Sequence, residues 1–139
     1  MKICGIVAEY NPFHNGHAYQ ARLAREMSGC DYLVAVMGGA FSQRGEPMLC
    51  DKWTRARMAL EGGIDLAVEL PALFAVRSAD WFARGGIETL YALGCDDFCF
   101  GCEADDLALL ERLSRAEADA AVRAAIQEAL GQGKSLARA

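Results

Sequence analysis

His14 and His17 are the two histidines of the chain, and they stand three residues apart with Gly16 between them. They follow an apolar run ending at Ala8, where a strand should give way to a helix. A spacing of three puts both imidazoles on one face of a first helical turn. Gly16 leaves no side chain to keep a phosphate from the backbone, and the free N–H groups of a helix start, with the helix dipole, favour an anion there. Two imidazoles donating hydrogen bonds to a phosphate in transfer would stabilise charge that grows in the transition state. The expected chemistry is a phosphate clamp.

The same spacing could form half of a zinc site. Zinc, however, calls for nearby thiolates in paired C-x2-C knuckles, and the cysteine cluster here is Cys95, Cys99 and Cys102. Cys95 and Cys99 fall inside an expected strand, whose alternation would point both to one face of the sheet as small buried hydrophobes. No metal site is expected. The tail Gly131-Gln132-Gly133-Lys134-Ser135 resembles part of a phosphate-binding loop. The first glycine of that motif would fall at Glu128 and no strand precedes it, so no such loop is expected either.

A second group of chemically competent residues is Ser42, Gln43, Arg44, Lys52, Arg55 and Arg57, which puts four cations within fourteen residues, opposed by Glu46 and Asp51. One reading is a solvated helix face. The other is that Arg44 or Lys52 contacts pyrophosphate or an RNA phosphate, arginine as a bidentate fork and lysine as a compact point charge. Glu9 and Glu69, at strand ends, could orient these cations.

The elements that must position these residues follow from periodicity. Apolar, β-branched or aromatic runs at 2–8, 31–37, 64–70 and 95–100 have strand length. Between them lie helically spaced Ala18, Leu23, Ala24 and Met27; then Trp53, Ala56, Met58 and Leu60; then Trp81, Phe82, Ile87, Leu90 and Leu93. Alternating strands and helices read as right-handed βαβ units, giving a doubly wound parallel α/β sheet buried on both faces. In such sheets ligands bind beyond the carboxyl ends of the strands, where strand order reverses. After Gly101 an Ala-rich, charged stretch predicts two short helices meeting near Arg115 or Ala116. With 53% hydrophobic and 24% charged residues, intrinsic disorder is excluded. A net charge of −5 argues against general adhesion to nucleic acid. No signal-peptide pattern or membrane-length apolar run is seen, which leads to the expectation of a reduced, cytoplasmic protein.

Taken whole, the run from Gly5 through His17 resembles the His-x-Gly-His signature of the nucleotidyltransferase superfamily. With the flanking Glu9-Tyr10-Asn11-Pro12-Phe13, the loop 39–47 with Lys52-Trp53, Glu69-Leu70-Pro71 and Phe82-Ala83-Arg84-Gly85, the chain resembles the bacterial tRNA(Met) cytidine acetate ligase family. That resemblance implies a Rossmann-like, HIGH-type nucleotidyltransferase fold with strand order 3-2-1-4, lacking its last strand. It implies a core over 1–103 and a helical extension over 104–139. It also implies that ATP and acetate form acetyl-adenylate with release of pyrophosphate, and that the wobble cytidine of elongator tRNA(Met) is then acetylated to N4-acetylcytidine.

Carried over by motif, Val7, Ala8, Glu9, Tyr10, Asn11, Pro12, Phe13, His14, Asn15, Gly16, His17, Ala18, Tyr19 and Gln20 form the ATP-binding segment, with His14 and His17 on the phosphates. Gly101 would lie against the nucleotide; Lys52 and Arg44, from the cation-rich segment rather than the motif, are expected to join the histidines as the catalytic set. ATP is expected as its Mg²⁺ complex. Family members are considerably longer. Neither the Ile-Ser-x-Thr-x-x-Arg signature nor the basic RNA-binding region is present, and 133–138 resembles a mid-domain segment, so the chain is expected to stop part-way through the domain. Weak, salt-dependent tRNA binding is the expectation. A small-molecule adenylyltransferase and a nucleotide-binding fragment without turnover remain open as alternatives.

Overall fold

Each apolar run becomes a strand, trimmed at its ends. In this computed structural model, which describes residues 1–102 and 106–133, the order is β1 (Ile3–Ala8), α1 (Asn15–Ser28), β2 (Tyr32–Met37), α2 (Lys52–Glu61), β3 (Leu66–Glu69), α3 (Ala72–Ala75), α4 (Ala79–Ala92) and β4 (Asp97–Cys99). Two further helices follow, α5 (Leu107–Ala118) and α6 (Ala120–Gly131). The chain divides into two compact units, Met1–Gly101 and Cys102–Ala139. In the first, four parallel strands lie in the order β3-β2-β1-β4, so the expected order holds.

Alternation along β2 builds two cores. Leu33, Ala35 and Met37 join Cys4 and Ile6 of β1 with Ala21 and Ala24 of α1 and Ala59 of α2 on one face. Val34 and Val36 join Leu70, Ala75 and Leu90 on the other, beneath α3 and α4. With both faces covered, the central strands carry almost no polar side chain, as a buried parallel sheet requires. The close approach of α4 to β1 depends on Gly86, where an added Cβ would stand 2.5 Å from Val7 Cγ1.

Three expectations need correction. Cys95 and Cys99 do not share a face. Strand β4 begins only at Asp97, and Cys95 lies in the turn after Gly94; Cys99 packs against the first core and Cys95 against the second. The apolar residues expected to seat α1 and α2 include Met27, Trp53 and Leu60, all exposed. Small residues, Ala21, Ala24 and Ala59, face the sheet instead, since they allow a helix axis to come close. In the second unit the helices break at Asp119, three residues beyond Ala116, because the Asp119 carboxylate caps α6 by accepting the Ala121 N–H at 2.7 Å. The tail from 134 onward, with the Lys134-Ser135 part of the loop-like motif, lies outside the described residues.

Where α2 turns a side chain inward near the strand ends, that side chain is Arg55, fully buried. Its Nη1 donates to the Glu9 carbonyl at 2.7 Å and to the Gly38 carbonyl at 3.1 Å. Nη2 donates to the carbonyls of Gly38 and Gly39, and Nε to that of Cys50 at 3.2 Å. A guanidinium carries five donors in a planar fork. Here they satisfy carbonyls leaving β1, leaving β2 and preceding α2, which would otherwise be buried without partners. Replacing Arg55 by Met should therefore lower the unfolding free energy by about 3 kcal/mol or more, since stranding buried polar groups costs about 1–3 kcal/mol each. Urea denaturation measures this, and a loss below about 1 kcal/mol would contradict the clamp.

Candidate active site at the carboxyl ends of the strands

Beyond Ala8 the chain makes a tight descent into α1. Tyr10 takes a left-handed φ of 48°, the Asn11–Pro12 peptide is cis, and His14 is extended at φ −143° and ψ 176° as the N-cap of α1. The Tyr10 ring is buried, with Phe13 edge-on at 4.9 Å and His17 at 4.8 Å between centroids. Burial pushes its phenol pKa up to about 12. This aromatic plug beneath the turn holds His17 from below.

The two histidines cap the helix themselves. His14 Nδ1 accepts the Gly16 N–H at 3.1 Å, and His17 Nδ1 accepts the His14 N–H at 3.2 Å. Their rings stack with centroids 3.7 Å apart at 22°. Because both Nδ1 atoms accept from backbone amides, the proton of each neutral imidazole sits on Nε2. Each ring thus keeps one N–H donor for an anion. Burial, and then the adjacent His14 ring, hold the His17 pKa below its ordinary 6.5. His17 is therefore neutral at physiological pH, in the tautomer that donates from Nε2.

This geometry revises two features of the sequence reading. Two of the helix-start amides are not free: Gly16 N–H is taken by His14, and His17 N–H donates to the His14 carbonyl at 2.9 Å. The Nε2–H groups add to what remains for phosphate. A Cβ on Gly16 would also stand 2.9 Å from His14 Cε1, so the glycine is needed by the imidazole as well.

The loop after β2 is fastened to this turn. Glu9 Oε1 accepts the Gln43 N–H at 2.5 Å and Asn11 Oδ1 accepts the Leu49 N–H at 2.7 Å. Ser42, buried, closes the loop on Glu46, its N–H donating to the Glu46 carbonyl at 2.8 Å. Arg44 sits at the exposed tip of that turn and forms no ion pair among the described residues.

The four cations do not form one patch. Arg55 is the buried clamp, Arg57 is exposed on α2, and Lys52 Nζ pairs with Glu69 Oε2 at 2.5 Å. Asp51 does not oppose the cations; its carboxylate caps α2 by accepting from the N–H groups of Trp53 and Thr54. Glu69 does orient Lys52, whereas the Glu9 side chain holds a backbone amide and its carbonyl receives Arg55.

On the other side of β1, Ile6 pairs with Cys99, and continuing that register sets Gly101 opposite Ala8. Gly101 is exposed, and a Cβ there would meet nothing within 4 Å. The switch point lies between β1 and β4, with the histidine turn beyond the end of β1 and Gly101 beyond the end of β4. Among the described residues no three His, Cys, Asp or Glu side chains converge as metal ligands. No helix among them is long and apolar enough to cross a membrane. Sequence reasoning missed the inward Arg55. The available signal was the small stripe Ala56, Ala59 and Gly62, which marks the sheet-facing side of α2 and places Arg55 rather than Trp53 at its start.

A parallel sheet with a His-x-Gly-His turn at the end of its first strand, beside the switch point, defines an α/β domain of nucleotidyltransferase type. Residues 1–139 match the family model described as HIGH Nucleotidyl Transferase, and the chain belongs to that family. It is 44% identical over 141 residues to the tRNA(Met) cytidine acetate ligase of Geobacillus sp. (strain WCH70), covering 100% of this chain and 35% of that protein. To the protein of the same name from Syntrophotalea carbinolica it is 54% identical over 115 residues, covering 83% of this chain and 27% of the relative. The chain thus spans about one third or less of the length of the curated relatives it matches. Among solved structures, Thermotoga maritima TmcAL bound with alpha-thio ATP superposes with a TM-score of 0.87 at 45% identity, over 98% of this chain and 34% of that one.

The tautomer assignment is measurable. In nitrogen-15 NMR, His17 should show an unprotonated Nδ1 and a protonated Nε2 at neutral pH, and should titrate below 6.5. A lowered pKa means the unfolded chain takes the proton first, so this group subtracts stability as pH falls through 6.5 and adds no cost above it. Titration above 6.5, or an Nδ1 proton, would refute the arrangement.

Proposed function

We propose that this chain binds ATP across the switch point between the histidine turn and Gly101 and activates acetate. The segment from Val7 through Gln20 would run along the nucleotide, Tyr10 as its buried support, with the Nε2–H groups of His14 and His17 on the phosphates. An acetate oxygen attacks the α-phosphorus, the bond to the β-phosphate breaks, and pyrophosphate leaves. Acetate is already ionised and needs no general base. Charge grows on the phosphate oxygens in that step, and preformed neutral donors stabilise it without reorganising. Arg44, at the exposed tip of the β2 loop, and Lys52 would meet the pyrophosphate, Lys52 through a further ammonium N–H while Glu69 holds it in place. ATP would arrive as its Mg²⁺ complex.

In the second step the cytidine N4 attacks the acetyl carbonyl carbon, AMP leaves, and one N4 proton is lost to solvent, giving N4-acetylcytidine. The acceptor would be the wobble cytidine of elongator tRNA(Met), which places the reaction in the cytoplasm. The observation that carries the reading is the stacked, self-capped histidine pair, supported by relatives named for this ligase activity. A chain of net charge −5 with its cations divided among other tasks should hold tRNA weakly and with strong salt dependence.

Incubation with ATP and labelled acetate should release pyrophosphate only when acetate is present. His17→Ala should lower that rate by about 100-fold, the scale of losing one preorganised donor, with the circular dichroism spectrum unchanged. Release independent of acetate, or bound ATP that never turns over, would overturn the acetate-ligase reading; an unchanged rate in His17→Ala would overturn the phosphate clamp.

A further inference from the structure

We propose that the pocket between α2 and the carboxyl ends of β2 and β3 seats an unstacked cytosine base. The proposal rests on the reading that cytidine is the acceptor, and it names where the base would lie. The pocket has a volume of about 340 Å³ and is bounded by Met37, Gly38, Ala56 and Val68, with Lys52, Trp53 and Glu69 at its polar side. That volume falls in the range of small-ligand sites and far exceeds what acetate would fill.

Three observations specify the occupant. First, Trp53 is 73% exposed although it sits in the first turn of a helix that packs on the sheet. An indole left in solvent beside a pocket offers a stacking face, and single-stranded bases are held on such faces. Second, the polar groups are a matched donor and acceptor rather than a net charge. Lys52 Nζ lies 2.5 Å from Glu69 Oε2 and 5.3 Å from the centre of the Trp53 ring. An incoming carboxylate would meet Glu69. A cytosine edge presents the N4 amine, which a carboxylate accepts, beside the N3 and O2 acceptors, to which an ammonium donates. Uracil reverses the pattern, turning O4 toward Glu69 and N3–H toward Lys52.

Third, the pocket lies at the reacting end of the sheet. Ala8 pairs with Met37 and Met37 with Glu69 in one row across β1, β2 and β3. Two strand spacings, about 10 Å, therefore separate Glu69 from the strand end that leads into the histidine turn. Gly38, which lines the pocket, and Glu9, which begins the turn, are both held by Arg55. The base would sit on one side of the phosphates and Gly101 on the other.

Trp53 and Trp81 are the two tryptophans of the chain, so Trp81→Phe makes its fluorescence a report on Trp53. Should that variant be unstable, the two indole N–H resonances of the unaltered protein separate the sites under the same titration. Cytidine should perturb Trp53 saturably and bind about tenfold more tightly than uridine, a modest return for one two-point base contact. N4,N4-dimethylcytidine, which lacks the N4 donor, should bind like uridine, and Glu69→Ala should abolish the preference. Equal response to cytidine and uridine, or saturation of the same signal by acetate alone, would overturn the proposal. Acetate-dependent pyrophosphate release without cytidine preference would sink the pocket alone. Cytidine preference without acetate-dependent release would uphold the pocket and overturn the ligase reading.

Discussion

The buried guanidinium of Arg55 is the interaction on which the rest of this site depends. A parallel sheet ends in carbonyls that have no further strand to bond, and the loops leaving β1 and β2 must turn sharply while still partly buried. Arg55 resolves both problems with one side chain, because its fork donates to Glu9, Gly38, Gly39 and Cys50 together. Burial lowers its pKa from the ordinary value, but a guanidinium starts so far above neutrality that it stays charged. The desolvation cost is offset only because every donor has a carbonyl to meet. The histidine turn, the β2 loop and the Lys52–Glu69 pocket consequently share one frame.

Within that frame the histidine turn is preorganised by its own backbone. A capping residue normally offers an oxygen; here two imidazole Nδ1 atoms accept the amides. The amides of His14 and Gly16 are thereby satisfied, and the same bonds fix the tautomer that donates from Nε2. Burial, and then the stacked His14 ring, lower the His17 pKa, so His17 stays a neutral donor. The cap, the tautomer and the lowered pKa of His17 are one arrangement seen three ways.

Much of this was legible in the residues alone. The alternation of apolar runs and helical spacing gave four strands in a doubly wound sheet, and Gly16 between two histidines marked the phosphate end. The errors fall where a residue's neighbours are distant in sequence. Trp53 and Arg55 are two positions apart on α2, and hydrophobicity alone assigns the tryptophan inward. The carbonyls that reverse that assignment belong to β1 and β2, at Glu9 and Gly38. Likewise the pairing of Cys95 and Cys99 on one face assumed a strand that included both, whereas β4 begins at Asp97.

The sequence by itself determined the class of fold and the location of its phosphate-facing turn, because both rest on local rules: periodicity along a few residues, and a three-residue spacing on one helical turn. Only the tertiary structure decided what each polar group does there. It turned Arg55 into an interior clamp, gave Lys52 to Glu69, and left Trp53 in solvent beside a pocket. Those outcomes depend on which unsatisfied carbonyls and carboxylates lie within hydrogen-bond reach after folding, a distance that no spacing along the chain encodes.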